Sequence, residues 1–377
     1  MDLRTLQTLE ARWGAGFYLT SRERMLRSCR AVCTPFERRY PAFRLAYSFK
    51  TCSLPPLLEA IHTAGAWAEI TSEKEYALAV QAGFADDSMV YNGPFKDMGL
   101  ALRIAAAGGV VNLDSPWEAA RLCQALPMGK SCPGVGLRCN FDVDGRPSRF
   151  GIPVDHGTLE DTVRLLMGRG IPVRGLHCHI KSRDMAGWRI KARRMSELVH
   201  RWRGLGLAGG LDYLDFGGGF RFEAGAGGEP FGGYADLLAG IMRELSRKEK
   251  MKLIIEPGAA VAERAMDFAA RVVNLNQVGD TCFATLAGTI CDISAVRRRP
   301  PGAVVRIPGG GPVCTARRTV LAGFTCMEDD ILCEDFPEKV AVGDYILFRN
   351  TGAYSSALRS EFIRECPPVV CLDDVLL

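Results

Sequence analysis

Short apolar runs alternate with amphipathic helical segments between about residue 44 and residue 255. Eight of the runs are predicted to be strands, at residues 44–49, 66–70, 89–91, 110–113, 135–139, 175–179, 213–216 and 252–255. Helices are predicted between them, at residues 55–63, 72–82, 96–107, 117–125, 159–168, 185–202 and 234–247. Strands that alternate with helices in this way pair in parallel through crossover connections. The pattern therefore predicts an α/β fold with a (β/α)8 barrel.

The pattern changes near residue 270, where helical periodicity gives way to short β-prone runs separated by Gly and Pro. These runs lie at residues 271–273, 281–285, 303–306, 319–322 and 345–348. A further strand is predicted at residues 16–19, followed by a helix that ends near residue 30. We expect a barrel over residues 31–269 and an all-β, C-terminal domain over residues 270–377.

Composition excludes several classes of protein. The 377 residues are 47% hydrophobic, enough to bury a large core in about two domains. Since 47 basic residues nearly balance 43 acidic ones and are scattered, nucleic acid is not an expected partner. The apolar runs are much shorter than the about 20 residues that cross a bilayer, so no membrane role is expected. The 14 cysteines form no CxxC pair and follow no secretory leader, which favours reduced thiols in the cytoplasm.

Four segments at predicted strand ends carry complementary chemistry. They are Lys50, the run His177-Cys178-His179, the glycines Gly217 to Gly219, and Glu256 in the sequence Glu-Pro-Gly. A lysine can form an imine with an aldehyde cofactor, and an imidazole can stack on the cofactor ring. Glycine amides can hold a phosphate, and a carboxylate can keep a pyridine nitrogen protonated. The combination predicts a site for pyridoxal 5'-phosphate.

Each of these residues also has a simpler interpretation. A single lysine after a strand is usually a surface charge, a glycine run is usually a turn, and a glutamate usually faces water. His177 and His179 occupy alternate strand positions and point to one face, which also suits a metal pair. The sequence shows no evident third ligand, so we expect no metal.

Taken together, these motifs resemble those of the fold type III pyridoxal-phosphate decarboxylases, the ornithine and diaminopimelate decarboxylase group. The resemblance extends from Gly14-Ala15-Gly16-Phe17-Tyr18 to Gly352-Ala353-Tyr354-Ser355. It implies a (β/α)8 barrel plus a β-sandwich-like domain, which the strand within residues 1–30 joins. It also implies a homodimer with shared active sites.

The resemblance assigns roles to individual residues. Lys50 would form the imine, His179 would stack on the ring, and His177 would be structural. Glu256 would face the pyridine nitrogen, and Glu69 stands where relatives often have aspartate near the ring. The other residues that the resemblance places at the cofactor are Arg138, Ser182 (which follows Lys181 instead of the usual glycine), Gly217, Gly218, Gly219, Gly258 and Tyr354.

Cys326 opens a segment that resembles the Cys-acid-x-x-Asp signature of the family. In isolation, a buried and inert thiol is the commoner interpretation of such a cysteine. The resemblance implies instead that Cys326 reaches the partner's active site and protonates the carbanionic carbon after carbon dioxide leaves. Asp330 would line the distal end of the substrate, next to Met327.

Two departures from the family pattern bear on the substrate. Ala259 replaces a frequent arginine, and Met327 replaces an acid that pairs with a distal ammonium. These losses favour a modified or conjugated diamino acid in siderophore or specialised-metabolite biosynthesis, such as citryl-diaminopropionate. The alternatives are an ornithine, lysine or diaminopimelate decarboxylase of primary metabolism, an amino-acid racemase, and a non-catalytic homologue. Racemases of this fold resemble each other in having arginine at the pyridine nitrogen, so Glu256 favours decarboxylation. A non-catalytic relative is expected to lose cofactor residues.

Overall fold

The structure, a computed structural model, describes residues 1–143, 145, 148–180, 184–204, 210–222, 229–246, 250–294, 296, 300–359 and 361–375. The chain divides into two compact units. The barrel unit is Cys29–Ala260, and the sheet unit combines Met1–Ser28 with Val261–Leu377. The sequence-based domain limits, after residues 30 and 269, lie a little C-terminal to these divisions.

The predicted helices are present, and the one after the first strand extends to Arg39, beyond its predicted end near residue 30. Three further helices occur, one at the N-terminus and two short ones after residue 258. They are α1 (Leu3–Trp13), α2 (Arg22–Arg39), α3 (Pro55–Thr63), α4 (Glu73–Gln81), α5 (Met98–Ala106), α6 (Pro116–Ala125), α7 (Thr158–Gly168), α8 (Met185–Gly204), α9 (Gly232–Leu245), α10 (Ala259–Ala262) and α11 (Ile290–Ser294). None of the helices in the described part of the chain combines the length and the apolar character needed to cross a membrane.

The strands form two separate sheets. They are β1 (Gly16–Thr20), β2 (Phe43–Ser48), β3 (Trp67–Ile70), β4 (Met89–Tyr91), β5 (Val110–Leu113), β6 (Val135–Asn140), β7 (Ile152–Pro153), β8 (Val173–His177), β9 (Tyr213–Asp215), β10 (Lys252–Ile255), β11 (Met266–Val278), β12 (Thr281–Leu286), β13 (Val304–Ile307), β14 (Arg318–Ala322), β15 (Ile331–Cys333), β16 (Tyr345–Phe348) and β17 (Val369–Cys371).

The barrel unit contains a closed ring of eight parallel strands. Neighbours run in the order β2, β3, β4, β5, β6, β8, β9 and β10, and β10 pairs again with β2. The two-residue strand β7 pairs with the end of β6 outside this ring. Each barrel strand is followed by a helix, and the last of these, α10, has four residues. The predicted (β/α)8 barrel is therefore confirmed.

Apolar side chains from five of the barrel strands pack together in the barrel interior. Ala46, Val90, Val110, Tyr213 and Ile254 form one buried cluster. Tyr213 is the largest of them. Its ring lies beside β8, in space that is free because residue 175 is a glycine. A Cβ atom added at Gly175 would lie 2.2 Å from the Tyr213 ring. The absence of a side chain at Gly175 therefore permits this packing.

The sheet unit contains the second sheet. Its strands run in the order β13, β16, β11, β12, β14 and β15, while β1 pairs antiparallel with β11 and parallel with β17. The first strand of the chain thus belongs to this sheet. Together with the barrel, the separate curled sheet confirms the predicted fold class.

Helix α1 was not predicted, and only Leu6 and Leu9 of its eleven residues are buried. Asp2 caps it by accepting a hydrogen bond from the Thr5 amide at 2.8 Å. Its two leucines pack on Phe17 of β1 and on Tyr345 of β16. Tertiary packing, more than local pattern, therefore stabilises this helix.

Replacing Gly175 with alanine is expected to lower the free energy of unfolding by about 1–3 kcal/mol, because the added methyl group overlaps the Tyr213 ring. Urea unfolding followed by circular dichroism would measure the change. Gly240→Ala is the control, since Gly240 is an exposed residue of α9 with no atom within 4 Å of the added Cβ. That substitution is expected to stabilise by about 0.5–1 kcal/mol. Equal midpoints for the two variants would contradict the packing described here.

Candidate active site

Each of the eight barrel strands places one polar side chain at its C-terminal end, either as a strand residue or immediately after the strand. We call these eight residues the polar ring: Ser48, Glu69, Asn92, Asn112, Arg138, His177, Asp215 and Glu256. Because strand side chains alternate between faces, Asn92, Asn112, Asp215 and Glu256 share the inward face of Val90, Val110, Tyr213 and Ile254. All eight side chains are buried or nearly so. The ring therefore closes the apolar interior with a charged and hydrogen-bonded layer.

Lys50 lies in a 3-10 turn, Phe49–Thr51, directly after β2. Its Nζ is 2.5 Å from Oε2 of Glu69, and the Ser48 hydroxyl donates to the same oxygen at 2.5 Å. Glu69 is fully buried, whereas 38% of the Lys50 side chain is exposed. The ammonium group thus contacts the polar ring, unlike an ordinary surface charge. Its role as imine former stays a prediction, and this geometry suits it.

Asn92 links the carboxylate at Lys50 to the opposite side of the ring. Its Nδ2 donates to Glu69 Oε1 at 3.1 Å and to Glu256 Oε1 at 2.5 Å. Its own oxygen accepts from Asn112 Nδ2 at 3.0 Å, and Asn112 accepts from the Tyr213 hydroxyl at 2.8 Å. Sequence reasoning missed both asparagines. The available signal was a polar residue at the inward position of an otherwise apolar strand end.

Glu256 and Asp215 are neighbouring buried acids with opposite pKa shifts. Burial raises the pKa of Glu256, but the facing imidazoles of His177 and His179, at 3.3 and 3.7 Å, outweigh burial and hold this pKa well below its usual range. Burial and the charge of Glu256 raise the pKa of Asp215 well above its usual range. Glu256 is therefore the ionised member of the pair, and Asp215 is the protonated one.

The donor atoms of His177, Asp215 and Glu256 lie within 4.8 Å of one another, which meets the geometric requirement for a metal site. Their chemistry points elsewhere. Asp215 already accepts from the Gly217 amide at 2.9 Å, and Glu256 accepts from Asn92 at 2.5 Å, so both carboxylates are engaged within the protein. We therefore interpret the three residues as a proton and charge network. The expectation of no metal stays a prediction.

His179 follows β8 and contacts the glycine turn after β9. The Gly218 amide donates to its Nδ1 at 3.1 Å, so the ring proton belongs on Nε2. Although 37% of the side chain is exposed, burial of the remainder lowers the pKa of His179 to about 4. A neutral imidazole at this position suits stacking on an aromatic cofactor.

The glycine turn passes very close to its neighbours. Gly217 and Gly219 have φ angles of 63° and 98°, a left-handed conformation that favours glycine. A Cβ atom at Gly218 would lie 2.5 Å from the Glu256 carbonyl oxygen, and one at Gly258 would lie 2.0 Å from Thr51 Oγ1. The turn and the Gly258 segment thus bring bare backbone to the ring and to the Lys50 turn. Their phosphate-binding roles stay predictions that this cradle fits.

Arg138 forms a buried ion pair, with 11% of its side chain exposed. It contacts Asp114 Oδ1 at 3.0 Å and donates to the His179 carbonyl at 3.2 Å. The Asp114 amide in turn donates to Glu118 at 2.7 Å, and Glu118 pairs with the buried Lys96 at 2.8 Å. This chain of contacts fixes the backbone of His179. A direct contact between Arg138 and the cofactor stays a prediction.

The remaining candidate residues lie in the sheet unit or outside the described residues. Cys326 is exposed, and 47% of Met327 is exposed. Asp330 is buried, and its two oxygens accept from the Ile290 amide at 2.8 Å and from the Thr325 hydroxyl at 2.6 Å. Its predicted substrate contact would require a carboxylate that already holds this loop together.

Two further predicted residues, Tyr354 and Ser182, concern the cofactor. Tyr354 has a left-handed φ of 59°, which is uncommon for a residue other than glycine and occurs often at functional sites. Its phosphate contact stays a prediction. Ser182 and the preceding Lys181 lie outside the described residues.

Comparison with known proteins gives a consistent result. Residues 26–263, more than half of the chain, match the family described as pyridoxal-dependent decarboxylase, pyridoxal binding domain. The chain is 28% identical over 369 residues to a diaminopimelate decarboxylase of Actinosynnema pretiosum, covering 92% of this chain and 82% of that protein. It is 26% identical over 370 residues to the Archaeoglobus fulgidus enzyme of the same name, covering 93% and 85%.

A solved structure shows the same fold. The lysine/ornithine decarboxylase of Vibrio vulnificus, complexed with putrescine, has a TM-score of 0.81 and is 19% identical, with coverage of 99% and 98%.

His179 is expected to stay neutral down to about pH 4 in the protein without added ligand. Because its folded pKa lies below the value of about 6.5 for an unfolded chain, its protonation opposes folding. Its contribution to stability is therefore complete above about pH 6.5 and is lost as the pH falls towards 4. NMR titration of labelled histidines, with assignment by His179→Phe, would measure this pKa. An imidazole signal of His179 that titrates near pH 6.5 would contradict the expectation.

Proposed function

The chain belongs to the pyridoxal-dependent decarboxylase family, and we propose that it removes the α-carboxylate of a free diamino acid of primary metabolism. It is a carboxy-lyase whose cofactor is pyridoxal 5'-phosphate and whose substrate is an amino acid. The proposal for the substrate is supported by relatives named diaminopimelate decarboxylase that align over more than nine-tenths of this chain. Diaminopimelate is therefore the first candidate.

One observation carries the proposed chemistry: Lys50 and the ionised Glu256 are joined through Glu69 and Asn92 within a single buried layer. When bound, pyridoxal phosphate supplies an aldehyde for lysine and a protonated ring that accepts the electron pair of the breaking bond. A reactive amine and a carboxylate for the ring nitrogen are the two groups that this chemistry requires. The residues present fit the cofactor.

The remaining roles follow from the contacts of the protein. Glu69 is placed to exchange a proton with Lys50, since its oxygen is 2.5 Å from Nζ. Glu256 would hold the proton on the ring nitrogen, because its own pKa is low and it stays charged. The neutral His179 would stack on the ring, and the Gly217 to Gly219 turn would bind phosphate through backbone amides. Cys326 would donate the proton that completes the product amine.

Glu256 also favours decarboxylation over racemisation. An ionised carboxylate at the ring nitrogen keeps the ring cationic and strengthens it as an electron acceptor. A non-catalytic role is disfavoured, because Lys50, His179, Glu256 and Tyr354 are all retained in the sequence.

A modified or conjugated diamino acid is the second candidate substrate. It is favoured by Ala259, which begins α10 without the frequent arginine, and by the exposed Met327 at the position of an acid. Both positions lack a charge that would hold a free substrate's distal group. The curated relatives reported above carry names of primary metabolism, and for that reason siderophore or specialised metabolism takes second place.

The proposal includes a homodimer and a cytoplasmic location. Cys326 is exposed, as a residue that reaches a partner subunit must be. All 14 cysteines are free thiols, which fits a reducing compartment. Light scattering of the purified protein would establish the oligomeric state.

Lys50→Ala is expected to abolish the visible absorbance of the lysine–cofactor imine and to lower carbon dioxide release by about a thousandfold or more, as for loss of other covalent catalysts. Absorbance spectra and a carbon dioxide assay would measure the two effects. Lys74→Ala, at an exposed position of α4, is the control and is expected to change neither. Survival of both colour and turnover in Lys50→Ala would show that the site is misassigned.

A panel of diaminopimelate, lysine, ornithine, arginine and citryl-linked diaminopropionate is expected to give the highest kcat/KM with a free diamino acid. Carbon dioxide release and exchange of the α-hydrogen with deuterium would be measured for each compound. Preference for the citryl-linked compound would transfer the assignment to the second candidate. Exchange without carbon dioxide release would indicate a racemase.

A variant extends the panel. Met327→Glu restores an acid and is expected to raise kcat/KM for lysine or ornithine by about tenfold, the value of one charge-assisted contact.

A further inference from the structure

Lys191 is a buried cation that none of the roles above uses. It lies on α8, only 2% of the residue is exposed, and the side chain packs over the Trp188 ring at 3.1 Å from the ring centroid. Its Nζ donates to the Phe216 carbonyl at 2.8 Å. Lysine is rarely buried to this extent unless its ammonium group has a hydrogen-bonding or charged partner. The carbonyl that it contacts belongs to the peptide that opens the Gly217 to Gly219 turn.

The other three backbone amide and carbonyl groups of Phe216 and Gly217 also form hydrogen bonds. The Phe216 amide donates to the Ile254 carbonyl at 3.0 Å, and the Gly217 amide donates to Asp215 at 2.9 Å. The Gly217 carbonyl accepts from the Glu256 amide at 2.9 Å. The fourth backbone group of Phe216 and Gly217 is the Phe216 carbonyl, which accepts from Lys191. Because a peptide unit is planar, fixing this oxygen helps to set the direction in which the turn proceeds.

The groups that face Lys191 determine its charge. They are Cys178 after β8, Asp215 on β9, Glu256 after β10 and the Trp188 ring on its own helix. Burial lowers the pKa of Lys191 to about 8, while Cys178, Asp215 and Glu256 act in the opposite direction. The side chain is therefore mostly protonated at neutral pH and loses its proton slightly above it.

We propose that Lys191 is a positioning residue for the phosphate of the cofactor. Through its hydrogen bond to the Phe216 carbonyl, the ammonium group holds the glycine turn in its anion-binding shape and places a positive charge behind it. This inference rests on the proposed binding of the phosphate by the glycine turn. It adds a residue of α8, which contacts the carbonyl just before that turn. The ligand group that the glycine turn would bind is a phosphate monoester dianion, attached to an aromatic aldehyde.

The test compares pyridoxal 5'-phosphate with pyridoxal, which lacks the phosphate. Binding of both to Lys191→Met would be measured by absorbance and fluorescence titration at pH 7. Affinity for pyridoxal phosphate is expected to fall by about tenfold or more, as for loss of a hydrogen bond to a charged group. Affinity for pyridoxal is expected to change by less than about twofold. Lys74→Met makes the same chemical change at an exposed position of α4 and is expected to leave both affinities unaltered.

Lys191→Gln keeps a hydrogen-bond donor without the charge and serves if the methionine variant does not fold. In the wild type, affinity for pyridoxal phosphate is expected to decline as the pH rises through the pKa of Lys191, near 8. In Lys191→Gln, the affinity for pyridoxal phosphate is expected not to show the decline near pH 8 that Lys191 causes. The pH dependence of pyridoxal binding is the reference that accounts for the titration of all other groups.

Equal losses for pyridoxal and pyridoxal phosphate in the variants would show a general structural role and would overturn the inference, as would unchanged binding. A wild type that binds neither compound would instead overturn the cofactor site itself.

Discussion

The barrel buries several charged groups at its C-terminal end, and the surrounding contacts are arranged around them. Eight polar side chains converge there, and a buried charge without a partner is costly. Several of them are partnered within the ring: Asn92 donates to both Glu69 and Glu256, and the two imidazoles lie 3.3 and 3.7 Å from Glu256. The site is therefore organised before any ligand binds, which is how enzymes place charge where a reaction needs it.

A second layer of contacts supports this ring from the surrounding helices and loops. The buried pair of Lys96 and Glu118 holds Asp114, which holds Arg138, which in turn contacts the backbone of His179. At the neighbouring strand β9, Lys191 holds the backbone before the glycine turn. Removing one partner of a buried ion pair typically destabilises a protein by about 3–5 kcal/mol. The supporting residues are thus as important to the geometry of the site as those that face the substrate.

The chemistry and the substrate are determined by different parts of the molecule. The polar ring and the segments beside it carry the features that the reaction class requires: the ionised Glu256, the amine of Lys50 and the glycine turn proposed to bind the phosphate. For the choice of substrate, the sequence offers only the proposed distal positions Ala259 and Met327, neither of which carries a charge. Proteins of one fold can differ in substrate through a few such positions. For this reason the reaction class is firmly assigned by the family, whereas the diamino acid is a proposal.

Much of the architecture could be predicted from the sequence. The period of the apolar residues was sufficient to place the eight barrel strands, since burial of one face imposes the same spacing wherever a strand occurs. It failed for α1, whose two buried leucines acquire their meaning only on contact with Phe17 and Tyr345.

At the site, Lys50, His179 and Glu256 could be selected as candidates from the sequence alone, because their types and their order along the chain are distinctive. The contacts between groups emerged only from the fold. Asn92 joins two carboxylates, Asp330 accepts from the Ile290 amide of α11, and Lys191 donates to the carbonyl that precedes the glycine turn. The physical reason is that closure of the barrel brings together residues far apart in the chain, and hydrogen bonds and pKa values depend on distances that no local pattern encodes.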